Sequence, residues 1–180
     1  MHYSKGAIVQ WNVGGMSNKK KEIIELINTY KANIVALQET MLSNDYLIKI
    51  PKYNVVAKEG TFNYRQHGGV AIYIHGDIPF QEINLDTPIQ AVAVTVQLRI
   101  KVTICNIYSP PSADSLTSDN IKALYDQLPK PCILLGDFNA HSQRWGCTST
   151  NQRGRIIEQL IDQTNLVMLN NGAPTHEKTL

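Results

Sequence analysis

Short apolar runs rich in β-branched residues recur along the sequence, and they constrain its fold more than any other feature. Two of the runs, Val70–Ile74 and Ala91–Leu98, carry apolar side chains at every second position. This period of two is typical of strands that bury one face. Only Arg99 separates two of the runs, so we expect a tight hairpin near Leu98–Lys101 with antiparallel strands. The predicted strands are Ala7–Trp11, Ile34–Leu37, Val55–Ala57, Val70–Ile74, Ala91–Leu98, Ile100–Ile107, Cys132–Leu135 and Leu166–Leu169.

Three other segments place apolar residues three or four positions apart, which is the spacing of amphipathic helices. They are residues 18–31, residues 118–128 and residues 153–163, and Ser17 or Asn18 is the expected N-cap of the first. Helices on both sides of mostly antiparallel strands predict a layered α/β sandwich.

Length and composition fit one globular domain: the chain has 180 residues, 43% of them hydrophobic and 18% charged. No repeat, signal peptide or apolar run near the ~20 residues of a membrane span is evident, so we expect an intracellular protein. Cys105 and Cys132 lie within apolar runs and are typical of small core residues in a reducing compartment. The formal net charge of +2 is too small to predict a nucleic-acid partner by itself.

Polar side chains gather where the predicted strands end. Because neighbouring strand ends converge on one rim of a layered sheet, and such rims commonly bind ligands, we expect these side chains around one pocket. The candidates are Asn12, Glu39, Tyr108, Asp137, Asn139 and His141.

The candidate set consists mainly of carboxylates and amides, which are hard oxygen ligands. Such ligands suit Mg²⁺ or Mn²⁺ rather than zinc. A carboxylate can also orient or deprotonate water, while amide and phenol donors stabilise charge on phosphoryl oxygens. The set therefore predicts metal-assisted hydrolysis of a phosphodiester.

Four motifs, in the order Q-W-N-V-G-G, L-Q-E-T, N-I-Y-S-P-P and G-D-F-N-A-H-S, resemble those of the endonuclease/exonuclease/phosphatase superfamily. The run G-G-V-A-I-Y-I, and N-Q-R-G after the last motif, look most similar to endonuclease domains of jockey-like non-LTR retrotransposons. The resemblance covers nearly the whole chain. It implies a four-layer α/β sandwich with mostly antiparallel sheets and with DNA lying across one rim.

The resemblance also implies a role for each matching residue. Glu39 matches the metal-binding glutamate, and Asn12 matches an amide near the metal and the phosphate. Tyr108 matches a phenol that faces the scissile phosphate. Asp137 matches the residue that orients or activates water, and Asn139 matches the amide that contacts phosphate and stabilises the pentavalent state.

The sequence departs from the family pattern in two places. Gly14 stands where relatives that cut abasic DNA carry an acidic residue, and the chain ends at P-T-H-E-K-T-L without the final S-D-H strand. We therefore expect a single endonuclease-like domain over residues 1–180 that stops before its carboxyl-terminal strands. Catalysis by this chain is expected to be weak or absent.

Each candidate also has a purely structural interpretation. Asp137 and Asn139 favour turns, and Glu39 is compatible with a solvated position after a buried strand. Tyr108 suits a strand-end aromatic with a satisfied hydroxyl, and Asn12 suits a loop held by hydrogen bonds to backbone. His141 either contacts phosphate or is an exposed loop histidine.

Lys19, Lys20 and Lys21 fall in the first turn of the first predicted helix. Cations there oppose the helix dipole, at a cost of about 0.3–1 kcal/mol each when poorly screened. One hypothesis is that these lysines contact the DNA backbone, and the alternative is a solvated basic face.

The sequence is thus interpreted as a Mg²⁺-dependent (or Mn²⁺-dependent) endonuclease domain that nicks double-stranded DNA to prime reverse transcription. A reverse transcriptase domain is expected in the full-length protein, and the expected location is the nucleus. Two alternatives stay open: a related phosphoesterase acting on a small or lipid phosphoester, and a catalytically dead DNA-binding fragment.

Overall fold

The computed structural model describes residues 7–41, 47–62, 65–66, 68–111 and 114–173. Three α-helices lie in these ranges: α1 Lys20–Tyr30, α2 Ser118–Asp126 and α3 Gln152–Asp162. The strands are β1 Ala7–Asn12, β2 Ala32–Gln38, β3 Tyr53–Lys58, β4 Thr61–Phe62, β5 Arg65–Gln66, β6 Val70–His75, β7 Phe80–Ile83, β8 Gln90–Gln97, β9 Lys101–Tyr108 and β10 Cys132–Asp137.

Two four-stranded sheets form the centre of the molecule, with strand orders β1-β2-β6-β3 and β10-β9-β8-β7. In each sheet one pair is parallel, β1 with β2 and β10 with β9, and the other pairs are antiparallel. Strands β8 and β9 form the expected hairpin, in which Gln97 pairs with Lys101. The mostly antiparallel sheets predicted from the sequence are confirmed.

The hydrophobic core has three parts, one for each gap between layers. Alternate residues of β6 and β8, including Ile72 and Val94, meet between the two sheets. The outer face of the first sheet packs on α1 through Ile23, and that of the second packs on α2 and α3 through residues such as Leu124 and Leu160. The layer order helix, sheet, sheet, helices is the four-layer α/β sandwich that we expected.

Three details of the secondary-structure prediction need correction. The predicted strand Leu166–Leu169 is wrong: these residues have no ladder partner in the described chain, and the side chains of Val167 and Leu169 are 79% and 81% exposed. Ser17 and Asn18 do not cap α1, because the chain turns between Met16 and Lys19 and the N-cap is Lys19, without a side-chain bond. Strands β4, β5 and β7 were not predicted.

The predicted absence of carboxyl-terminal strands concerns the end of the chain, and residues 174–180 lie outside the described ranges. That expectation stays a prediction. Within the part of the chain that the structure describes, no helix combines the length and apolarity needed to cross a membrane.

Candidate active site

Two pairs of parallel strands bring four strand ends to the same rim of the sandwich. Asn12 is level with Gln38 at the ends of β1 and β2, and Tyr108 is level with Asp137 at the ends of β9 and β10. The first pair faces the second, since β1 contacts β10 and β2 contacts β9. The strands of each parallel pair end at the same edge of their sheet. Because the two pairs face each other, the motifs at these strand ends lie close together.

Asn12 lies at the centre of the resulting cluster. Its Nδ2 donates to Glu39 Oε1 at 2.8 Å and to Asp137 Oδ2 at 2.8 Å. The two carboxylate oxygens therefore lie no more than twice that distance apart. The phenol of Tyr108 donates to the same Glu39 oxygen at 2.8 Å. The structure thus brings Asn12, Glu39, Tyr108 and Asp137 together.

The Asn12 side chain also holds its own loop, because its Oδ1 accepts a hydrogen bond from the Gly14 backbone N–H at 3.1 Å. This bond leaves the amide nitrogen, and not the oxygen, turned towards the carboxylates. The loop-holding interpretation of Asn12 and its place in the cluster are thus compatible. Its role as a metal ligand stays a prediction.

Glu39 and Asn139 both have left-handed backbone conformations, with φ of 52° and 47°. Such values are uncommon for residues other than glycine and persist where surrounding bonds hold them. The two residues after Glu39 are held by backbone bonds to the segment before β6. Thr40 N donates to the Gly69 carbonyl at 3.2 Å, and Met41 N donates to the Gly68 carbonyl at 2.8 Å. Asn139 N donates to Asp137 Oδ1 at 3.0 Å, so these two residues form a turn as well as part of the cluster.

Gly136 lets β10 approach β9 closely just before Asp137. A Cβ at this position would lie 1.9 Å from the Ile107 carbonyl oxygen, and φ is +135°. A side chain would push the two strands apart and displace Asp137 from Tyr108. This contact explains the glycine in G-D-F-N.

A buried pair of amides connects the two sheets directly beneath the cluster. Gln38 Nε2 donates to Asn106 Oδ1 at 2.5 Å, and Asn106 Nδ2 donates to the carbonyls of Leu37 and Ala71 at 2.9 and 3.0 Å. Both side chains are fully buried. Gln38 precedes Glu39 and Asn106 lies two residues before Tyr108, so the pair fixes the spacing of the residues above it.

The phenol of Tyr108 is held in its neutral form. Burial raises its pKa well above the ordinary value, and the hydrogen bond to Glu39 and the charges of Glu39 and Asp137 act in the same direction. The guanidinium of Arg153 opposes this shift. At neutral pH the Tyr108 hydroxyl is therefore a hydrogen-bond donor.

The donor set is compatible with a hard divalent cation. In the described ranges no three His, Cys, Asp or Glu side chains cluster as potential metal ligands. Mg²⁺ is nevertheless often bound through only one or two carboxylates, with water and phosphate oxygens completing its coordination. Two adjacent carboxylates, with hydrogen bonds from the neutral groups Asn12, Tyr108 and Asn139 N, provide that minimum.

The predicted phosphate contacts lie around the cluster and not within it. His141 is exposed and its backbone N–H donates to Asn151 Oδ1 at 3.1 Å. The Nζ of Lys19 lies 5.8 Å from the centre of the Trp11 ring and 3.8 Å from Glu22 Oε1. Lys20 and Lys21 are exposed at the start of α1. Contacts with DNA by these residues stay predictions.

Sequence reasoning missed two residues that support the cluster, Asn151 and Arg153. Asn151 caps α3 and donates to the Asn139 carbonyl at 3.0 Å. Arg153 donates to the Ser109 carbonyl at 2.9 Å, and the same carbonyl accepts from Asn139 Nδ2 at 3.0 Å. The N-Q-R-G motif was the available signal. Its Asn stands just before an amphipathic segment, which is where a helix N-cap is expected.

Solved structures share this arrangement of layers. The endonuclease domain of TRAS1, a telomere-specific non-LTR retrotransposon, aligns with a TM-score of 0.67 and 22% identity, over 93% of this chain and 75% of that one. The 3′-5′ exonuclease NExo from Neisseria meningitidis aligns with a TM-score of 0.56 and 21% identity, over 86% and 70% of the two chains. The chain has the endonuclease/exonuclease/phosphatase fold.

Sequence comparisons agree with this fold. The family described as endonuclease-reverse transcriptase matches residues 102–179. A probable RNA-directed DNA polymerase from the transposon X-element of Drosophila melanogaster is 25% identical over 93% of this chain. The RNA-directed DNA polymerase from the mobile element jockey of the same organism is 26% identical over 92% of this chain. The chain spans only 19% and 18% of the length of these relatives. The resemblance inferred from the motifs is confirmed.

Proposed function

We propose that this chain is a metal-dependent DNA endonuclease domain that nicks duplex DNA by hydrolysing one phosphodiester. The observation that carries the proposal is the pair of hydrogen bonds from Asn12 Nδ2 to Glu39 and Asp137. These bonds join the first motif to the second and the fourth. They leave two carboxylates and a neutral phenol around one spot on the rim.

Each residue of the cluster has a distinct task in this proposal. Asp137 orients the attacking water and takes up its proton, and the Asn139 N–H keeps the Asp137 carboxylate in place. The neutral Tyr108 hydroxyl donates to a phosphoryl oxygen as negative charge develops there. The Asn139 side-chain amide contributes a second hydrogen bond to the same oxygens.

Glu39 and Asp137 are the residues that would hold Mg²⁺ or Mn²⁺, and Asn12 keeps the two carboxylates at a fixed separation. When bound, the cation would supply positive charge that neutralises the phosphoryl oxygens and the leaving 3′ oxygen, and solvent water would protonate that oxygen as the P–O3′ bond breaks. Asn12 is proposed as a further ligand: its amide oxygen would turn towards the bound cation, and the cation would replace the two Asn12 hydrogen bonds in holding Glu39 and Asp137 together.

The proposed product is a nicked duplex with a 3′-hydroxyl that primes reverse transcription. Priming of reverse transcription is suggested because the relatives from X-element and jockey are described as RNA-directed DNA polymerases. We infer that the natural protein also carries a reverse transcriptase domain and acts in the nucleus. Lys19, Lys20, Lys21 and His141 are proposed to contact phosphates of the DNA backbone.

Incubation of supercoiled plasmid with Mg²⁺ tests this proposal, and the longest natural form of the protein should be used. We expect the wild type to produce nicked circles with 3′-hydroxyl ends, and Asp137→Ala to reduce nicking at least about a hundredfold. Arg99→Ala, at the opposite end of the sandwich, is the matched control and should nick normally.

Two results would replace the proposal with one of its alternatives. Hydrolysis of a lipid or small phosphoester by the wild type, with intact plasmid, indicates the related phosphoesterase. Plasmid binding without nicking indicates a DNA-binding module with a dead site.

A further inference from the structure

The loop that follows Asp137 lies directly on the first turn of α3. The Asn151 N–H donates to the His141 carbonyl at 3.0 Å. A Cβ on Gly154 would lie 1.9 Å from the same carbonyl oxygen, so only glycine allows this approach. The helix therefore contacts the loop backbone directly at His141, and the Asn151 side chain adds further bonds to the loop.

The two ends of the Asn151 carboxamide have separate tasks. Its Oδ1 accepts from Gly154 N at 2.7 Å and from His141 N at 3.1 Å, which caps the helix and fixes the far end of the loop. Its Nδ2 donates to the Asn139 carbonyl at 3.0 Å. The oxygen thus binds the helix and the end of the loop, while the nitrogen binds the Asn139 carbonyl.

The bond from Asn151 Nδ2 acts where the loop backbone is left-handed. Asn139 has φ of 47°, its N–H donates to Asp137 Oδ1 at 3.0 Å, and its side chain donates to the Ser109 carbonyl at 3.0 Å. A backbone shift at Asn139 would therefore move the Asp137 carboxylate as well. Displacements of about 1 Å at such positions can reduce rates about a hundredfold.

We propose that Asn151 is a positioning residue of this active site, which holds Asn139, and through it Asp137, in the geometry required for catalysis. The inference rests on the proposed function, since it assigns to Asn151 a part in the same reaction. Asn151 contacts neither substrate nor metal in this proposal, and acts through the Asn139 carbonyl.

Asn151→Asp separates the two tasks. The aspartate keeps an oxygen that caps α3 and accepts from His141 N, but it has no hydrogen to donate to the Asn139 carbonyl. Gln152→Glu is the matched control, because it adds the same charge at the neighbouring exposed position. Asn151→Ser is a second variant, whose neutral hydroxyl still caps the helix.

We expect Asn151→Asp to lower kcat for plasmid nicking about tenfold to a hundredfold, with KM and the melting temperature close to the wild-type values. Gln152→Glu should leave all three unchanged. Nicking by Asn151→Asp and Asn151→Ser at the wild-type kcat would overturn the proposal. Absence of nicking by the wild type would overturn the proposed function instead.

Amide hydrogen exchange measured by NMR tests the positioning role without any activity. In Asn151→Asp and Asn151→Ser, the Asn139 N–H should exchange at least about tenfold faster, while the Gly154 N–H keeps its protection. Unchanged exchange at Asn139 in both variants would show that Asn151 is only a helix cap.

Discussion

At the scale of single residues, Tyr108 connects the stability of the fold with the proposed chemistry. Its side chain is only 5% exposed, and its hydroxyl donates to Glu39 Oε1 at 2.8 Å. Burial and the neighbouring carboxylates raise its pKa, so the phenol stays protonated at neutral pH. The sequence predicted a phenol at this rim, but the contact with Glu39 became evident only in the folded chain.

Tyr108→Phe should reduce nicking about tenfold or more, because it removes one donor from the developing charge while the ring still fills the core. The free energy of unfolding should fall by about 1 kcal/mol or less. Plasmid nicking rates and urea unfolding measure the two effects. Nicking by Tyr108→Phe at the wild-type rate would exclude the hydroxyl from the reaction.

The same substitution should change how stability depends on pH. A raised pKa in the folded state means that the unfolded chain loses the Tyr108 proton first. The stability contributed by this phenol is therefore complete below its ordinary pKa of 10.0 and declines as the pH rises further. Between about pH 9 and pH 11 the wild type should lose more unfolding free energy than Tyr108→Phe. Equal losses would contradict the assigned environment.

At the scale of elements, the site depends on two pairs of parallel strands whose ends share one rim. This convergence was predictable, because polar motifs follow apolar runs in the sequence. Strand β7 was not predictable from its own residues: Phe-Gln-Glu-Ile has a weak pattern, and it becomes a strand because β8 offers an edge. Leu166–Leu169 shows the reverse: no strand in the described part of the chain pairs with this run, and Val167 and Leu169 remain exposed.

The start of α1 carries three lysines where helix stability favours acidic residues. Replacing Lys19, Lys20 and Lys21 with Gln should raise the unfolding free energy at low salt by about 0.3 kcal/mol or more. If the lysines contact DNA, the triple variant should also bind duplex more weakly, with a salt slope lower by up to about three. Thermal unfolding and duplex titrations at several salt concentrations give both values.

A matched control is available at the opposite end of the sandwich. Lys52, Arg99 and Lys101 are exposed there, at the far ends of β3 and β9 from the cluster. Their replacement with Gln changes the net charge equally and should leave the salt slope close to that of the wild type. An equal effect of the two triple variants would favour a solvated basic face at α1.

At the scale of the whole molecule, the two sheets are joined by polar bonds as well as by apolar packing. Asn106 accepts from Gln38 and donates to carbonyls of β2 and β6, all within the buried gap between the sheets. Asn106 opens the motif N-I-Y-S-P-P, but this bridge was not predictable from the sequence, because the partners of Asn106 are distant along the chain. Tertiary contact alone reveals its role.

Asn106→Leu should lower the unfolding free energy by about 2–4 kcal/mol, because it leaves two backbone carbonyls and the Gln38 amide buried without this partner. Thr95→Val is the control: its buried hydroxyl lies 3.5 Å from the Thr103 hydroxyl, and we expect a loss of about 1 kcal/mol or less. Urea unfolding measures both. A smaller loss for Asn106→Leu than for Thr95→Val would contradict the bridging role.

The central claim is that Glu39 and Asp137 act as one unit on a phosphodiester. The most direct test compares Mg²⁺-dependent plasmid nicking by the wild type, Glu39→Gln, Asp137→Asn and the double variant. When two residues act together, the first substitution removes most of the activity. Each single variant should therefore nick at least about a hundredfold more slowly than the wild type. The double variant should be only slightly slower than the single variants. Nicking by either single variant at the wild-type rate would contradict the account.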